Sequence, residues 1–397
     1  MSPQLYLIAG EPSGDRLGAA LIEALKAEAP DVRFSGLGGP QMQAAGLSSL
    51  FDTEELSVMG IAEVIPRLPR LLRRISQTTA DVLAKAPDIL VTIDSPSFGL
   101  RVAERVRKTN PAIRTVHYVA PSVWAWRPGR AAHMARFIDH VLAILPFEPP
   151  YMEAAGMSCD FVGHPIASRA QTDPELVAKM RGIWGVAPDQ RLLLVGPGSR
   201  RSEVKHLLPP FSEAIARLAT RHPGLHVVIP MAETVLGEVE SAARNLAVEP
   251  ILIHPSDGEE MKQIAFAAAD AALIASGTIT LEMAAAGTPM VACYKTSWLT
   301  AAIVRRLIKA ESANLVNLTV GRPVVPELYQ EAATVDAMVS ATGSILRKGD
   351  ARKAQIEAFA QAMTALGREG MAPAHLAARS VLRQLPGGKA QRSSTAT

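Results

Sequence analysis

Short apolar runs, each followed by a stretch of helical spacing, recur along the chain up to about residue 295. In the first half they fall at 5–9, 89–93, 115–119 and 141–144, with helical spacing over 17–27, 71–83 and 100–106. From Phe161 and Val162 the rhythm restarts, with runs at 192–195, 227–229, 251–253, 271–275 and 290–293. Continuous apolar runs, rather than apolar–polar alternation, are what strands buried on both faces produce, and such strands belong to parallel sheets covered by helices. Two successive series of similar size predict an α/β chain of two Rossmann-like, doubly wound domains facing a cleft. Gln171-Thr172-Asp173-Pro174 reads as a helix start, which separates a first domain at 1–168 from a second at 169–345. Strands give way after about residue 330 to helical patterns at 335–346, 354–366 and 373–385. Residues 346–385 are expected to pack back on the body as capping helices, and the small, polar tail 386–397 to be disordered.

With 48% hydrophobic and 20% charged residues among 397, the chain has ample material for cores and is no disordered polyelectrolyte. Its net charge of +3 is too weak to argue for nucleic acid, so an anionic partner must be met by local groups. Cys159 and Cys293 stand far apart without metal-ligand company, which excludes a disulfide framework and favours a reducing compartment. Mean hydropathy is slightly high at +0.14, yet no apolar run reaches the ~18–20 residues of a membrane span. The longest, 264–275, is interrupted by Asp270, and no basic residue precedes the 5–9 run as in a signal peptide. The expectation is a cytoplasmic chain for which contact with a membrane surface stays open.

Ligands of open parallel sheets bind at the carboxyl ends of the strands, so the loops there carry the chemistry. Gly10-Glu11-Pro12-Ser13-Gly14-Asp15 reads either as a loop that lets an anion approach the backbone or as a tight turn capped by Asp15. It is neither Gly-x-Gly-x-x-Gly nor a Walker A loop, which removes the main support for nicotinamide and P-loop nucleotides. Asp94, ending the 89–93 run, can take a proton from a substrate hydroxyl or serve as an Asx-turn residue before Pro96. Trp124 and Trp126, two of the four tryptophans, form either a sugar or acyl surface or a hydrophobic plug. In the loop after 192–195, Gly198, Ser199, Arg200 and Arg201 suit phosphate oxygens at a helix start. Ser276 and Thr278 offer hydroxyls to phosphate, and Glu282 can accept two ribose hydroxyls. It lies one residue too late for a capping box with Thr278. A nucleotide in the second half follows from these loops together.

One further pattern is charged and apolar at once. Ile61, Val64, Ile65, Leu68, Leu71, Leu72 and Ile75 share a helical face, interleaved with Arg67, Arg70, Arg73 and Arg74. The pattern alone fits a core-facing stripe with a solvated basic face better than an interfacial segment. Pro66 and Pro69 argue against one unbroken helix.

Several segments occur in a fixed order: Gly10-Glu-Pro-Ser-Gly-Asp15, Val58-Met-Gly-Ile61 with Glu63 and Val64, Tyr118-Val-Ala-Pro-Ser-Val-Trp-Ala-Trp126, Leu145-Pro-Phe-Glu148, Gly163-His-Pro165, Pro197-Gly-Ser-Arg200 with Glu203 and Val204, and Ser276-Gly-Thr278 with Glu282. In this combination the chain closely resembles the lipid-A-disaccharide synthase family of GT-B glycosyltransferases, over about residues 4–385. The resemblance implies an inverting, single-displacement transfer. UDP-2,3-diacylglucosamine gives its sugar to the 6-hydroxyl of 2,3-diacylglucosamine 1-phosphate, forming the β-1,6 disaccharide 1-phosphate of lipid A and UDP. It implies work at the cytoplasmic face of the inner membrane of a Gram-negative bacterium, without a cofactor or nucleic acid, and it is compatible with a homodimer.

By the same resemblance Asp94 is the base and Arg200 stabilises the departing diphosphate. Gly198, Ser199, Arg200, Ser276, Gly277, Thr278, Glu282 and Asn317 form the UDP pocket. Gly10, Glu11, Ser13, Gly14, Asp15, Met59, Trp124 and Trp126 belong to the acceptor and acyl side. Because both substrates are lipids, Val64, Ile65, Leu68, Arg70, Leu71, Leu72, Arg73 and Arg74 become the expected membrane contact. Two segments depart from the family pattern. Val316 and Thr319 flank Asn317-Leu318 where Pro-Asn-Leu-Leu is usual, and Gly99 replaces an asparagine, depriving Asp94 of one orienting partner. No Asp-x-Asp occurs, so arginine and helix-dipole stabilisation is expected in place of a metal. The alternatives are a UDP-sugar 2-epimerase on the same fold and a non-catalytic nucleotide-binding regulator at the membrane.

Overall fold

The computed structural model describes residues 2–56, 61–124, 129–296 and 312–386, with only the backbone described at 61–68. The chain divides into two compact units, Met1–Ser168 with Gly367–Thr397, and Arg169–Leu366.

The first unit is built on a six-stranded sheet: β1 (Gln4–Ala9), β2 (Arg33–Leu37), β3 (Ile89–Ile93), β4 (Arg114–Tyr118), β5 (His140–Ala143) and β6 (Ser158–Phe161). All neighbours are parallel, in the order β2-β1-β3-β4-β5-β6. Successive side chains of a strand point to opposite faces, so each strand supplies two cores. Leu5, Leu7, Val91, Ile93 and Val116 pack on one face with Leu21, Ile22 and Leu25 of helix Pro12–Glu28 and Ala377, Ala378 and Val381 of helix Pro373–Arg383. Tyr6, Ile8, Leu90 and Val141 pack on the other with Ile75 and Val82 of helix Ile61–Lys85 and Val102 and Val106 of helix Gly99–Thr109.

The second unit carries β7 (Leu192–Gly196), β8 (His226–Pro230), β9 (Pro250–Ile253), β10 (Ala271–Ala275), β11 (Met290–Tyr294) and β12 (Glu327–Tyr329). These are again parallel, in the order β12-β11-β10-β7-β8-β9. Counted from its own first strand this is 3-2-1-4-5-6, the Rossmann order. Helix Arg201–Arg221 covers one face through Leu207, Phe211, Ile215 and Leu218. Asp270 breaks the apolar run 264–275 for a structural reason. It stands between helix Gly258–Ala268 and β10, where its carboxylate accepts from the Leu192 N–H at 2.9 Å and pairs with Arg181 and Arg191.

Three strands left no apolar run in the sequence. β2, β6 and β12 lie at sheet edges and are only partly buried. Phe161 therefore closes the first sheet instead of opening the second series. The prolines at 66 and 69 do not interrupt helix Ile61–Lys85. Proline costs a ladder bond but its fixed φ is itself helical, and Ile75, Thr78, Thr79 and Val82 anchor the following turns. The C-terminal helices do not form one group. Helix Asp350–Ala365 lies in the second unit, and the chain returns at Gly367 to the first. The tail 387–397 lies outside the described residues.

Candidate active site

In an open α/β sheet the ligand crevice lies where the strand order reverses. In the second sheet that point falls between β7 and β10. The loops leaving these two strands, Pro197–Arg200 and Ser276–Thr278, border a cavity of about 600 Å³, well within the range of small-molecule sites. Gly198, Ser199, Arg200, Glu203, Ser276, Gly277, Thr278 and Glu282 line it, with His254 and Lys262 from the neighbouring elements. Gly198 has φ +115°, and a Cβ there would meet Glu203 Oε2 at 2.5 Å, so only glycine fits. Gly277 faces open space instead.

Glu203 alters the expected phosphate loop. Its Oε2 accepts the N–H groups of Ser199 (3.1 Å) and Arg200 (3.3 Å), so these amides are already satisfied. What remains for an anion is the Arg200 guanidinium, 79% exposed though paired with Glu203 Oε1, the positive end of helix Arg201–Arg221, and the 276–278 loop. Glu282 sits in the first turn of helix Ile279–Ala286 and receives Arg169 Nη1 and Lys262 Nζ on its carboxylate.

Asn317 does not belong to this cavity. It is 3% exposed, its Oδ1 accepts from Val324 and Val325 N–H, and its Nδ2 donates to the Val325 carbonyl and Glu327. Every polar atom of the amide holds the 322–327 turn, which leaves nothing to offer UDP. Val316 is fully buried in the same short helix, Leu315–Val320, whose cap is Asn314.

In the first sheet the order reverses between β1 and β3, and the two flagged loops meet there. Ser13 Oγ donates to Asp94 Oδ2 at 2.7 Å. Asp94 and the next residue, Ser95, have φ of +49° and +39°, a conformation that costs side-chain-bearing residues about 1–3 kcal/mol each and turns the carboxylate out at the strand end. A Cβ on Gly14 would come within 3.0 Å of the Ile93 carbonyl, so glycine lets this helix start abut β3. Asparagine at Gly99 would crowd Thr92, whose Cβ lies 3.1 Å from the added Cβ. Ser13 thus supplies the partner that Gly99 cannot. His117, opposite Thr92 in the sheet, is fully buried with Nδ1 2.8 Å from Thr92 Oγ1, and burial pushes it down to about 4, leaving it neutral.

Asp15 takes the structural role. It is 5% exposed and its two oxygens accept from Gln41 and Met42 N–H, holding helix Pro40–Ala44. Gly10 is buried against Ser95, whereas Glu11 is exposed. Trp124 is half-buried, edge-on to Phe147 with ring centroids 5.3 Å apart. Next to Phe147, Glu148 is buried, and that burial pushes its carboxyl up to about 7, although the Leu145 N–H opposes the shift. Met59 and Trp126 lie outside the described residues.

A family model described as lipid-A-disaccharide synthetase matches residues 5–380. The chain belongs to the lipid-A-disaccharide synthase family. It is 48% identical to the lipid-A-disaccharide synthase of Ruegeria pomeroyi, over 97% of this chain and 96% of that one. It is 46% identical to that of Rhodospirillum centenum, over 96% and 95%. The family consists of UDP-sugar glycosyltransferases. Solved structures share the fold at low identity. The glycotransferase of kitacinnamycin superposes with a TM-score of 0.61 at 16% identity, covering 97% of this chain and 100% of that one. A UDP-GlcNAc 2-epimerase from Neisseria meningitidis bound to UDP-GlcNAc gives 0.60 at 10%, covering 96% and 99%. Both transferases and epimerases use the architecture, so the fold does not separate them; membership of the lipid-A-disaccharide synthase family does.

The stripe expected to meet the membrane divides. Leu71 packs against the first-unit core, and Arg74 bonds Glu55 and lies 4.4 Å over the Phe51 ring. These two face inward because they share a helix side with buried Ile75 and Thr78. Arg70, Leu72 and Arg73 are exposed. The side chains of Val64, Ile65 and Leu68 lie outside the described residues. Among the described residues no helix is long and apolar enough to cross a membrane. For this family member the sequence reading passed over Ser13 as the Asp94 partner, and over Lys262 and Arg169. The strand order was the missing signal, since it alone puts residues 13 and 94 at one point.

Proposed function

We propose that the chain transfers 2,3-diacylglucosamine from its UDP derivative to the 6-hydroxyl of 2,3-diacylglucosamine 1-phosphate, with inversion. The observation that carries the reading is the cavity at the β7/β10 reversal, where two phosphate-type loops and Glu282 converge in a chain of this family. Asp94 acts as the base. Ser13 holds Oδ2, and Oδ1 takes the acceptor proton as the hydroxyl oxygen attacks the anomeric carbon. The bond to the diphosphate breaks, and UDP leaves with its charge met by Arg200, the helix start and the 276–278 loop. Gly198, Ser276, Gly277 and Thr278 shape that diphosphate site, and Glu282 accepts from the ribose. Gly10, Glu11, Ser13 and Gly14 form the acceptor side, with Trp124 as an acyl surface.

Arg70, Leu72 and Arg73 support peripheral attachment to an anionic bilayer, each basic residue contributing about 1 kcal/mol. Asp94→Ala is expected to abolish turnover while UDP still binds by calorimetry. Near-normal turnover by that variant removes Asp94 from the base role.

A further inference from the structure

The nucleotide cavity of the second unit contains a problem of charge. Glu203, Glu233, Glu259 and Glu282 all line it, and a nucleoside diphosphate adds further negative charge. An acid that reads a ribose next to a diphosphate has to be neutralised locally and held still.

Glu282 meets both demands through a residue outside its own helix. Lys262 Nζ stands 3.1 Å from Glu282 Oε1 and 3.4 Å from Oε2, reaching across from helix Gly258–Ala268. The ammonium also lies 3.5 Å from Glu259 and 5.2 Å from the centroid of the Phe266 ring, so ring and acids confine it. On the other side Arg169 Nη1 reaches Oε1 at 3.3 Å. Oε1 therefore carries two donors and Oε2 a single long one. A carboxylate has about four acceptor directions; the one left, on Oε2, belongs to a group that is itself part of the cavity wall. Lys262 is one-third exposed and lines the same cavity, whereas Arg169 does not. A plain helix-to-helix staple would not need its carboxylate at a ligand surface.

We infer that Lys262 is a positioning residue for recognition of the nucleotide ribose, holding Glu282 so that the free lone pair of Oε2 meets the 2′-hydroxyl. The inference rests on the reading of Glu282 as the ribose acceptor. Without the ammonium, Glu282 leans to Arg169 and is repelled by the incoming diphosphate. The hydroxyl contact then weakens while the phosphate contacts persist.

Calorimetric titration of the full chain with UDP and with 2′-deoxy-UDP tests this. Wild type is expected to prefer UDP by about tenfold, as for a hydrogen bond to a charged group. Lys262→Met should weaken UDP several-fold and 2′-deoxy-UDP much less, bringing the ratio close to that of Glu282→Gln, and Lys262→Arg should restore most of it. If Glu282→Gln lowers the ratio but Lys262→Met leaves it at the wild-type value, the role of Lys262 is overturned alone. If Glu282→Gln itself leaves the ratio unchanged, the ribose reading of Glu282 falls, and the inference with it.

Discussion

The contact between Ser13 Oγ and Asp94 Oδ2, 2.7 Å long, joins two residues 81 positions apart. A hydrogen bond to an ionised group contributes about 1.5–3 kcal/mol, so Ser13→Ala should lower kcat by roughly tenfold or more with little change in KM for the UDP-sugar. Ser13→Thr should recover much of it. In an Asp94→Ala background the Ser13 change should cost nothing more, since a positioning role vanishes with the group positioned. Gly277 offers a second test. Its added Cβ meets nothing within 4 Å, so Gly277→Ala should leave thermal unfolding unchanged yet weaken UDP several-fold by intruding on the ligand. Glu148 tests the electrostatics of burial. Its folded value is raised to about 7, so its favourable contribution is complete below its ordinary value and is lost as pH rises through 7. Glu148→Gln should therefore raise the unfolding temperature by a few degrees at about pH 8.5 and change little at about pH 5.

At the scale of elements, helix Pro373–Arg383 is fastened to the first unit by polar as well as apolar contacts. His140, Ser380 and Arg383 surround Asp160 and hold its carboxyl well below the usual carboxylate range. Arg379 and His375 lower the Glu28 carboxyl by hydrogen bonding to its charged form. Depressed values mean stabilisation that is present above the ordinary carboxylate pKa and lost as pH falls towards the folded ones. Proteolysis within 373–383 should accordingly accelerate below about pH 4, and Asp160→Asn should produce the same opening at neutral pH. Helix Ile61–Lys85 allows a contrast along its length. Leu72→Ser, with Arg70 and Arg73 changed to Glu, should reduce binding to anionic liposomes with the fold intact. Leu71→Ser should lower stability instead, because that side chain packs on the core.

The whole molecule was legible where burial left a mark. β3 and β10, covered on both faces, appear in the sequence as the runs 89–93 and 271–275 with the same limits. The half-exposed edge strands β2, β6 and β12 appear nowhere, because a partly solvated strand needs no continuous apolar run. Helix Pro174–Ile183 starts where Asp173 and Pro174 signal it, with Asp173 accepting the Glu175 N–H. The site followed the same division. Loops that end buried strands stood out by glycine, arginine and hydroxyl content, and their place in the cavity follows. Side-chain pairing did not, since nothing in local composition tells that Glu203 satisfies the Ser199 amide or that Asn317 spends its amide on the 322–327 turn. Such choices are made by register and strand order, which bring distant residues to one end of a sheet.

The purified chain is incubated with UDP-2,3-diacylglucosamine and 2,3-diacylglucosamine 1-phosphate, and the products are weighed by mass spectrometry. The expected products are the diacylglucosamine disaccharide 1-phosphate and one equivalent of UDP, with neither from Asp94→Ala. Release or rearrangement of the UDP-sugar without any disaccharide would contradict the proposed transfer.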